Sequence, residues 1–502
     1  MCVNYEELIP QFRSYLKKMT DYHSAIALLE WDARTHMPKK GIRGRSQAIA
    51  TLSGEAFRMS VSDQMASFLD QLESQQGSLD QVTARLVEES KKTYERSRKI
   101  PPDRYEAFVA LTSEAESVWE VARGENDFAT FAPYLEKIVD MTREFVDYWG
   151  YEGHPYNTLL DQYEVGMTVS VLDDIFSGLR TETVMLLNKI EKKPLVNTGI
   201  LERYYDPEKQ KAFSEFILRE MGYDFEAGRL DETAHPFATG IADGDVRITT
   251  HYYPNFFNAA IFGSIHEGGH ALYEQGISYE LIDTPLHSGT SMGIHESQSR
   301  FWENMIARSY EFWQCYYGDL QKYFPESLGD VSLDQFYAAI NVVRPSLIRI
   351  EADEVTYNLH IMLRYEIEKG LIGGDLAVKD LPEIWRENMR ENFGIVSPTD
   401  SDGVLQDVHW SGGMFGYFPS YALGNIYAAQ FAQALERDLP DLKDRVQHGR
   451  LPEIRQWLGQ NIHQYGALLK PAEILKQVTG ETIDAKPLVS YLNQKFSTLY
   501  HL

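Results

Sequence analysis

Two histidines four residues apart, with a glutamate directly after the first, open the chemistry of this chain: His266-Glu267-Gly268-Gly269-His270. On a helix, residues at i and i+4 share one face. Two imidazoles so placed can hold one zinc ion, and the glutamate lies beside the metal without having to bind it. This is the H-E-x-x-H arrangement of zinc peptidases, with Glu267 as general base. A catalytic zinc takes three protein ligands and leaves a fourth position to water. The third ligand is expected downstream, in Ile294-His295-Glu296-Ser297-Gln298-Ser299-Arg300, which opens an apparent helix after the run Ser288–Gly293. Glu296 is the expected ligand, because a His-His-carboxylate set suits a peptidase helix of this type. His295 is the alternative, since imidazole also suits zinc. Arg300 and Glu303 follow Glu296 at helical spacing and are expected to support it.

The elements that must position these groups read as mainly helical. Asn4 with Glu7 has capping-box spacing before Leu8, Phe12, Tyr15, Leu16 and Met19. Another helix carries Ala25–Trp31 and stops at Met37-Pro38-Lys39-Lys40-Gly41. Further helical runs cover Ser62–Gln75, Leu79–Ser97, Pro101–Arg123 and Phe131–Tyr148, and Ser170 with Asp173 marks a start running to about Lys192. The pattern stops at Lys192–Thr198, which divides a single 1–502 unit into an N-terminal helical lobe (1–198) and a catalytic lobe (199–502). The best strand is Asp245–Tyr252, where Val246, Ile248 and Thr250 alternate with Arg247, Thr249 and His251. A helix then runs from about Asn258 through His270 to Gln275. Gly268 and Gly269 inside it each cost about 1 kcal/mol against alanine. Either another backbone or side chain packs closely against the helix there, or the helix is a poor one.

Composition narrows the classes. The chain has 502 residues, 43% hydrophobic and 24% charged, with a formal net charge of −26. That charge argues against nucleic acid and anionic membrane as partners, both of which demand basic patches. A site for a free carboxylate therefore needs local arginines or histidines. The two cysteines, Cys2 and Cys315, suit a reducing cytosol rather than a disulfide framework. The N-terminal residues show no basic n-region or apolar h-region, and no apolar run is long enough to span a bilayer. A cytoplasmic protein is the expectation.

Several segments resemble the carboxypeptidase Taq family of zinc metallocarboxypeptidases. They are His266–Gln275, Gly293–Asn304, His235-Pro236-Phe237, Asp245-Val246-Arg247-Ile248-Thr249, Ile348–Asp353 and Gly403–Trp410, together with Leu28–Asp32 and Met37-Pro38 near the start. The likeness spans nearly the whole chain. It implies a mainly α fold with two lobes around a deep cleft and a small β-sheet near the active site, similar to neurolysin and angiotensin-converting enzyme. It also implies removal of single C-terminal residues with broad specificity, one zinc per chain, and a homodimer. Cobalt or manganese also fits the ligand types.

In that setting Tyr417 and Tyr421 are candidates for oxyanion stabilisation and substrate binding, without an assignment between them. Arg349 is the first candidate for the substrate carboxylate, because a guanidinium binds carboxylate bidentately; Arg344 is the alternative. An ion pair of Arg349 with Glu351, Asp353 or Glu354 competes with that role. His409 could share the carboxylate or bond the substrate backbone, and His235 lies in a family motif. Arg247 sits in a strand expected to pair with extended substrate, as edge strands do; it could instead pair with Asp245. Two other readings stand beside the carboxypeptidase: an endo-acting zinc oligopeptidase, and a peptide-binding protein without catalysis.

Overall fold

The structure is a computed structural model and describes residues 5–74 and 76–502. The Asn4 cap lies outside the described residues, as do Cys2 and Gln75. Helices dominate, with one three-stranded sheet. Their boundaries follow local caps. Ser62 accepts a bond from the Met65 amide to start Asp63–Glu73, and Asp80 accepts from Thr83 to start Gln81–Lys99. The helix expected from Ser170 starts earlier, over Val169–Ile190, because Thr168 supplies the capping oxygen to the Val171 amide.

The sheet has the order β1 (Leu230–Glu232), β3 (Asp245–Thr250), β2 (Ala238–Ala242). β1 runs parallel to β3 with Leu230 opposite Ile248, and β2 runs antiparallel with Ala238 opposite Ile248. The strand read from sequence is thus the central one. Its amides at Val246 and Ile248 donate to Ala227 and Arg229 carbonyls, and its other edge belongs to β2. With both edges used, β3 cannot add a substrate strand, which corrects the expectation for Asp245–Thr250.

The largest apolar cluster runs from Ala115 to Tyr500 and draws on both sides of Lys192–Thr198. A second, smaller cluster joins Leu8, Phe12 and Leu16 to Phe68, Leu72 and Leu86, and to Ile277, Leu281 and Leu286. The long helix Tyr5–Thr35 is therefore tied to the loop that connects the two metal-site helices. Among the described residues no helix is long and apolar enough to cross a membrane.

Candidate metal centre and substrate wall

The helix Phe257–Glu274 carries His266, Glu267 and His270. The helix Met292–Arg300 carries Glu296, and its start is fixed by Ser291, whose hydroxyl accepts from the Ile294 amide. The two helices approach closely enough to explain Gly269, and a third helix explains Gly268. A Cβ on Gly269 would stand 2.6 Å from the Gln298 carbonyl oxygen and 2.7 Å from Ser299 Cα. One on Gly268 would stand 2.5 Å from Leu218 Cδ2, on the helix Pro207–Met221. Gly269 faces backbone that cannot give way, so only glycine admits this approach of the two helices, which brings Glu296 beneath the two histidines. Gly424, on the helix Pro419–Asp438, presses on Glu296 from the other side.

Nε2 of His266 and Nε2 of His270 lie 3.6 and 3.4 Å from Glu296 Oε2. Among the described residues these three form the group able to hold a metal, with ligand atoms within 4.8 Å of one another. Ligands about 2.0–2.2 Å from a tetrahedral zinc stand roughly 3.3–3.6 Å apart, so the spacing fits one ion. The hydrogen bonds on the far sides of the ligands agree. His266 Nδ1 lies 2.9 Å from Glu303 Oε2, so that ring carries its proton on Nδ1 and leaves the Nε2 lone pair free. His270 Nδ1 lies 2.6 Å from His295 Nδ1, and His295 Nε2 lies 2.8 Å from Glu274 Oε1. A proton on His270 Nδ1 and another on His295 Nε2 satisfy that row and again free His270 Nε2. His295, the alternative ligand, thus stands behind His270 and not on the metal side.

Arg300 Nε donates to Glu296 Oε1 at 2.6 Å, leaving Oε2 toward the histidines. Glu303 sits on a π-helical turn, Phe301–Ala307, and also takes bonds from Arg300 and Arg308. Such turns often re-aim side chains at functional sites. Burial pushes the Glu296 carboxyl up, but Arg300 and the two imidazoles outweigh it and hold it below the usual carboxylate range. Burial likewise raises Glu303, yet the His266 bond and two arginines bring it down to about 2. Burial lowers His270 to about 4, which suits a neutral ligand. Glu267 is buried with few compensating contacts and is pushed up to about 7, chiefly by desolvation.

Beside this centre stands a wall of arginines and aromatic rings. Arg349 Nε and Nη2 donate to Asp407 Oδ1 at 3.0 and 2.9 Å, and Arg364 Nε donates to Asp407 Oδ2 at 2.6 Å. The expected competitor for Arg349 is therefore an ion pair in kind, but the partner is Asp407. Asp353 instead accepts backbone amides, and Glu354 pairs with Lys495. Two guanidiniums on one carboxylate leave a net single positive charge, buried, in a chain of charge −26. Arg349 Nη1 reaches the Tyr357 hydroxyl at 3.3 Å, and the Arg300 guanidinium lies 4.3 Å over the Tyr357 ring. The candidate ligand Glu296 and the Arg349 cluster are thus linked through Arg300 and Tyr357. Arg344 is exposed and outside the cluster.

His409 Nε2 lies 3.3 Å from the Tyr421 hydroxyl, and burial lowers its pKa to about 4. Tyr417 and Tyr421 pack edge-on with centroids 5.2 Å apart, and the Arg349 guanidinium lies 4.9 Å over Tyr421. Burial raises the pKa of both tyrosines, and the charge of Glu296 adds to it, so both remain O–H donors. The structure thus gathers Arg349, His409, Tyr417 and Tyr421 in one cluster, linked to Glu296 through Tyr357 and Arg300, with Glu267 on the helix between the two histidines.

Two expected site residues do not join them. Arg247 bonds Asp245 through Nε and Nη2 at 2.6 and 2.7 Å and lies 4.5 Å over the Trp31 ring. Arg229 covers the same ring at 5.0 Å, so Arg247 fastens the end of the first long helix to the sheet. His235 is exposed in the loop between β1 and β2. Sequence reasoning passed over Glu274, Asp407 and Arg364. The first two fall inside segments already singled out, Glu274 at i+4 from His270, whereas Arg364 has no local signature.

The sequence pattern described as "Carboxypeptidase Taq (M32) metallopeptidase" matches residues 11–496. The chain is 46% identical over 495 residues to carboxypeptidase 1 of Bacillus subtilis, covering 98% of each. It is 44% identical to thermostable carboxypeptidase 1 of Thermus thermophilus, covering 94% of this chain and 95% of that one. Among solved structures, the M32 carboxypeptidase of Deinococcus radiodurans superposes with a TM-score of 0.96 at 36% identity, over 99% of this chain and all of that one.

Proposed function

The chain belongs to the carboxypeptidase Taq (M32) family of metallopeptidases, and on that premise we propose a zinc-dependent enzyme that removes single residues from peptide C-termini with broad specificity. The observation that carries the metal assignment is the convergence of His266 Nε2, His270 Nε2 and Glu296 Oε2, each with its far side already bonded. A zinc ion held there supplies a Lewis acid and makes water a nucleophile near neutral pH; cobalt or manganese fits the same donors. Glu267 takes the proton of the attacking water and passes it to the leaving amine. Burial raises its carboxyl above the usual carboxylate range, which favours proton uptake. Tyr417 and Tyr421 donate to the developing oxyanion or the substrate backbone, sharing those duties with His409.

The exo-acting reading rests on the net positive charge of the Arg349, Arg364 and Asp407 cluster. Arg349 keeps N–H groups beyond those given to Asp407 and Tyr357, and a substrate carboxylate is the natural complement. A homodimer in the cytoplasm accords with the family likeness and with the paucity of cysteines; light scattering of purified protein checks the first.

The test is product analysis by mass spectrometry on an unblocked peptide, its C-terminal amide and a chelator control. A ladder of single C-terminal losses, absent with the amide, with chelator and with Glu267→Gln, is expected. Internal cuts that ignore the amide would establish an oligopeptidase instead. No cleavage by metal-loaded protein would leave a peptide-binding protein.

A further inference from the structure

One segment outside the motifs named above touches both sides of the site. Tyr156–Leu160 is a short helix, and the chain turns from it to Glu164. Toward the helix that carries Glu296, the Tyr163 carbonyl accepts the Met292 amide at 3.1 Å, and Glu164 Oε2 accepts the Gly293 amide at 3.2 Å. Glu164 Oε1 accepts the Tyr427 hydroxyl at 2.8 Å. Toward the tyrosine wall, the Tyr163 ring meets Tyr417 edge-on, centroids 5.1 Å apart at 86°. Gly416, with φ of 92°, lies against Leu159 so tightly that a Cβ would stand 2.7 Å from the Leu159 carbonyl carbon.

A buried carboxylate closes the frame. Glu368 accepts the Tyr156 hydroxyl at 2.5 Å, the Gly416 amide at 2.9 Å and Trp410 Nε1 at 2.8 Å. The same nine residues are thus bonded to the first turn of the metal-ligand helix and pressed against the loop that presents Tyr417. Catalytic groups must be held to a fraction of an ångström by neighbours that are themselves locked. The Tyr163 hydroxyl has no hydrogen-bond partner among the described residues, so its ring is the contact that matters.

Resting on the reading of Tyr417 as a donor to the reacting substrate, we infer that Tyr163 is a positioning residue for Tyr417, set in register with Glu296 by the segment 156–164. The ring fixes where the Tyr417 hydroxyl points; the segment fixes how far that ring stands from the metal ligands. An edge-to-face pair is worth a factor of about two to ten in an equilibrium. Losing it lowers the fraction of enzyme with Tyr417 correctly aimed, which reads in kcat rather than KM.

The experiment compares Tyr163→Leu, Tyr163→Phe and Tyr417→Phe, with the double variant Tyr163→Leu/Tyr417→Phe, as zinc-loaded full-length protein on an unblocked peptide. Zinc content, melting temperature, kcat and KM are measured for each. Tyr163→Leu should lower kcat about two- to tenfold, with KM unchanged and with zinc content and melting temperature retained. Tyr163→Phe should restore kcat, because the ring is kept. In the Tyr417→Phe background the leucine should cost nothing more, since the hydroxyl it misplaces is gone.

Full kcat in Tyr163→Leu overturns the inference. So does a loss that comes with zinc loss or a lower melting temperature, which marks a structural part. An additive loss in the double variant overturns it too, because Tyr163 then acts without Tyr417. A Tyr163→Phe defect equal to that of leucine makes the hydroxyl a substrate contact and the positioning role wrong. Failure of the carboxypeptidase reading shows separately, in the wild-type products. If those are internal cuts, the same kcat ratios judge Tyr163 on the internal bond.

Discussion

Two substitutions in one buried cluster should have opposite signatures. Arg349 and Arg364 share Asp407, so the cluster carries two positive charges against one negative. Arg349→Met leaves Asp407 paired with Arg364, a neutral and still bonded pair. Its structural cost is the unmet need of Asp407 Oδ1, about 1–3 kcal/mol. Asp407→Asn leaves two buried guanidiniums with no counter-charge, and removing one partner of a buried ion pair costs about 3–5 kcal/mol. With an unfolding entropy of about 2 cal/mol/K per residue, a chain of 502 residues has about 1 kcal/mol/K in total. The expected fall in melting temperature is therefore about 3–5 °C for Asp407→Asn and about 1–3 °C for Arg349→Met.

Catalysis should rank the other way. A charged hydrogen bond to the substrate carboxylate is worth about 1.5–3 kcal/mol, so Arg349→Met should lower kcat/KM on an unblocked peptide about 10- to 150-fold. Scanning calorimetry and steady-state kinetics on the two variants supply both numbers. An Arg349→Met enzyme with kcat/KM within twofold of wild type would refute the charge argument, whatever its stability. Equal melting temperatures for Asp407→Asn and wild type would show that the two arginines do not depend on Asp407.

Three further outcomes follow from contacts already described. His295→Leu removes the acceptor behind His270 Nδ1, and loss of such a partner lowers metal affinity about 10- to 100-fold. Competition with a chelator of known affinity measures this, and unchanged affinity would show that His295 does not orient His270. Burial raises the carboxyls of Glu164 and Glu368 from the ordinary 4.5 to about 7. A raised carboxyl stabilises the fold while protonated, fully below the unfolded value and no longer above the folded one. Stability should thus fall as pH rises from 4.5 to 7, and Glu368→Gln should flatten that slope in urea titrations at several pH values; an unaltered slope contradicts the assignment. Gly269→Ala would drive a methyl into the Gln298 carbonyl and should destabilise by about 1–3 kcal/mol, with lower metal occupancy. A variant that melts like wild type would mean the two helices are free to separate.

What the sequence makes legible, and what it hides, divides by the range of the interaction. The pair His266 and His270 is legible because helical periodicity alone puts i and i+4 on one face. Glu296 is legible because a metal site with two histidines needs a third donor, and the next helix offers one. The central strand is legible by its alternation, but its place in the sheet is not. That depends on β1, three residues long and without a pattern of its own, and on pairing across the chain. The expectation that β3 could take up substrate failed there, since an edge is a property of neighbours and not of a segment. Arg349 shows the same limit from the side of charge. Its residue type announces a carboxylate, while the carboxylate that holds it comes 58 positions later and is shared with an arginine no motif marks. Gly268 and Gly269 signal close approach but not what approaches; the answer, Leu218 on one side and Gln298 on the other, belongs to three helices at once. Tyr163 lies furthest from legibility. Nothing around it resembles a catalytic motif, and its standing comes wholly from touching two elements that the chemistry needs in register. Sequence therefore names the groups that meet the reaction, because their types are constrained by chemistry. The groups that aim them are constrained only by geometry, which many residue types can satisfy, so they come into view when the chain is folded.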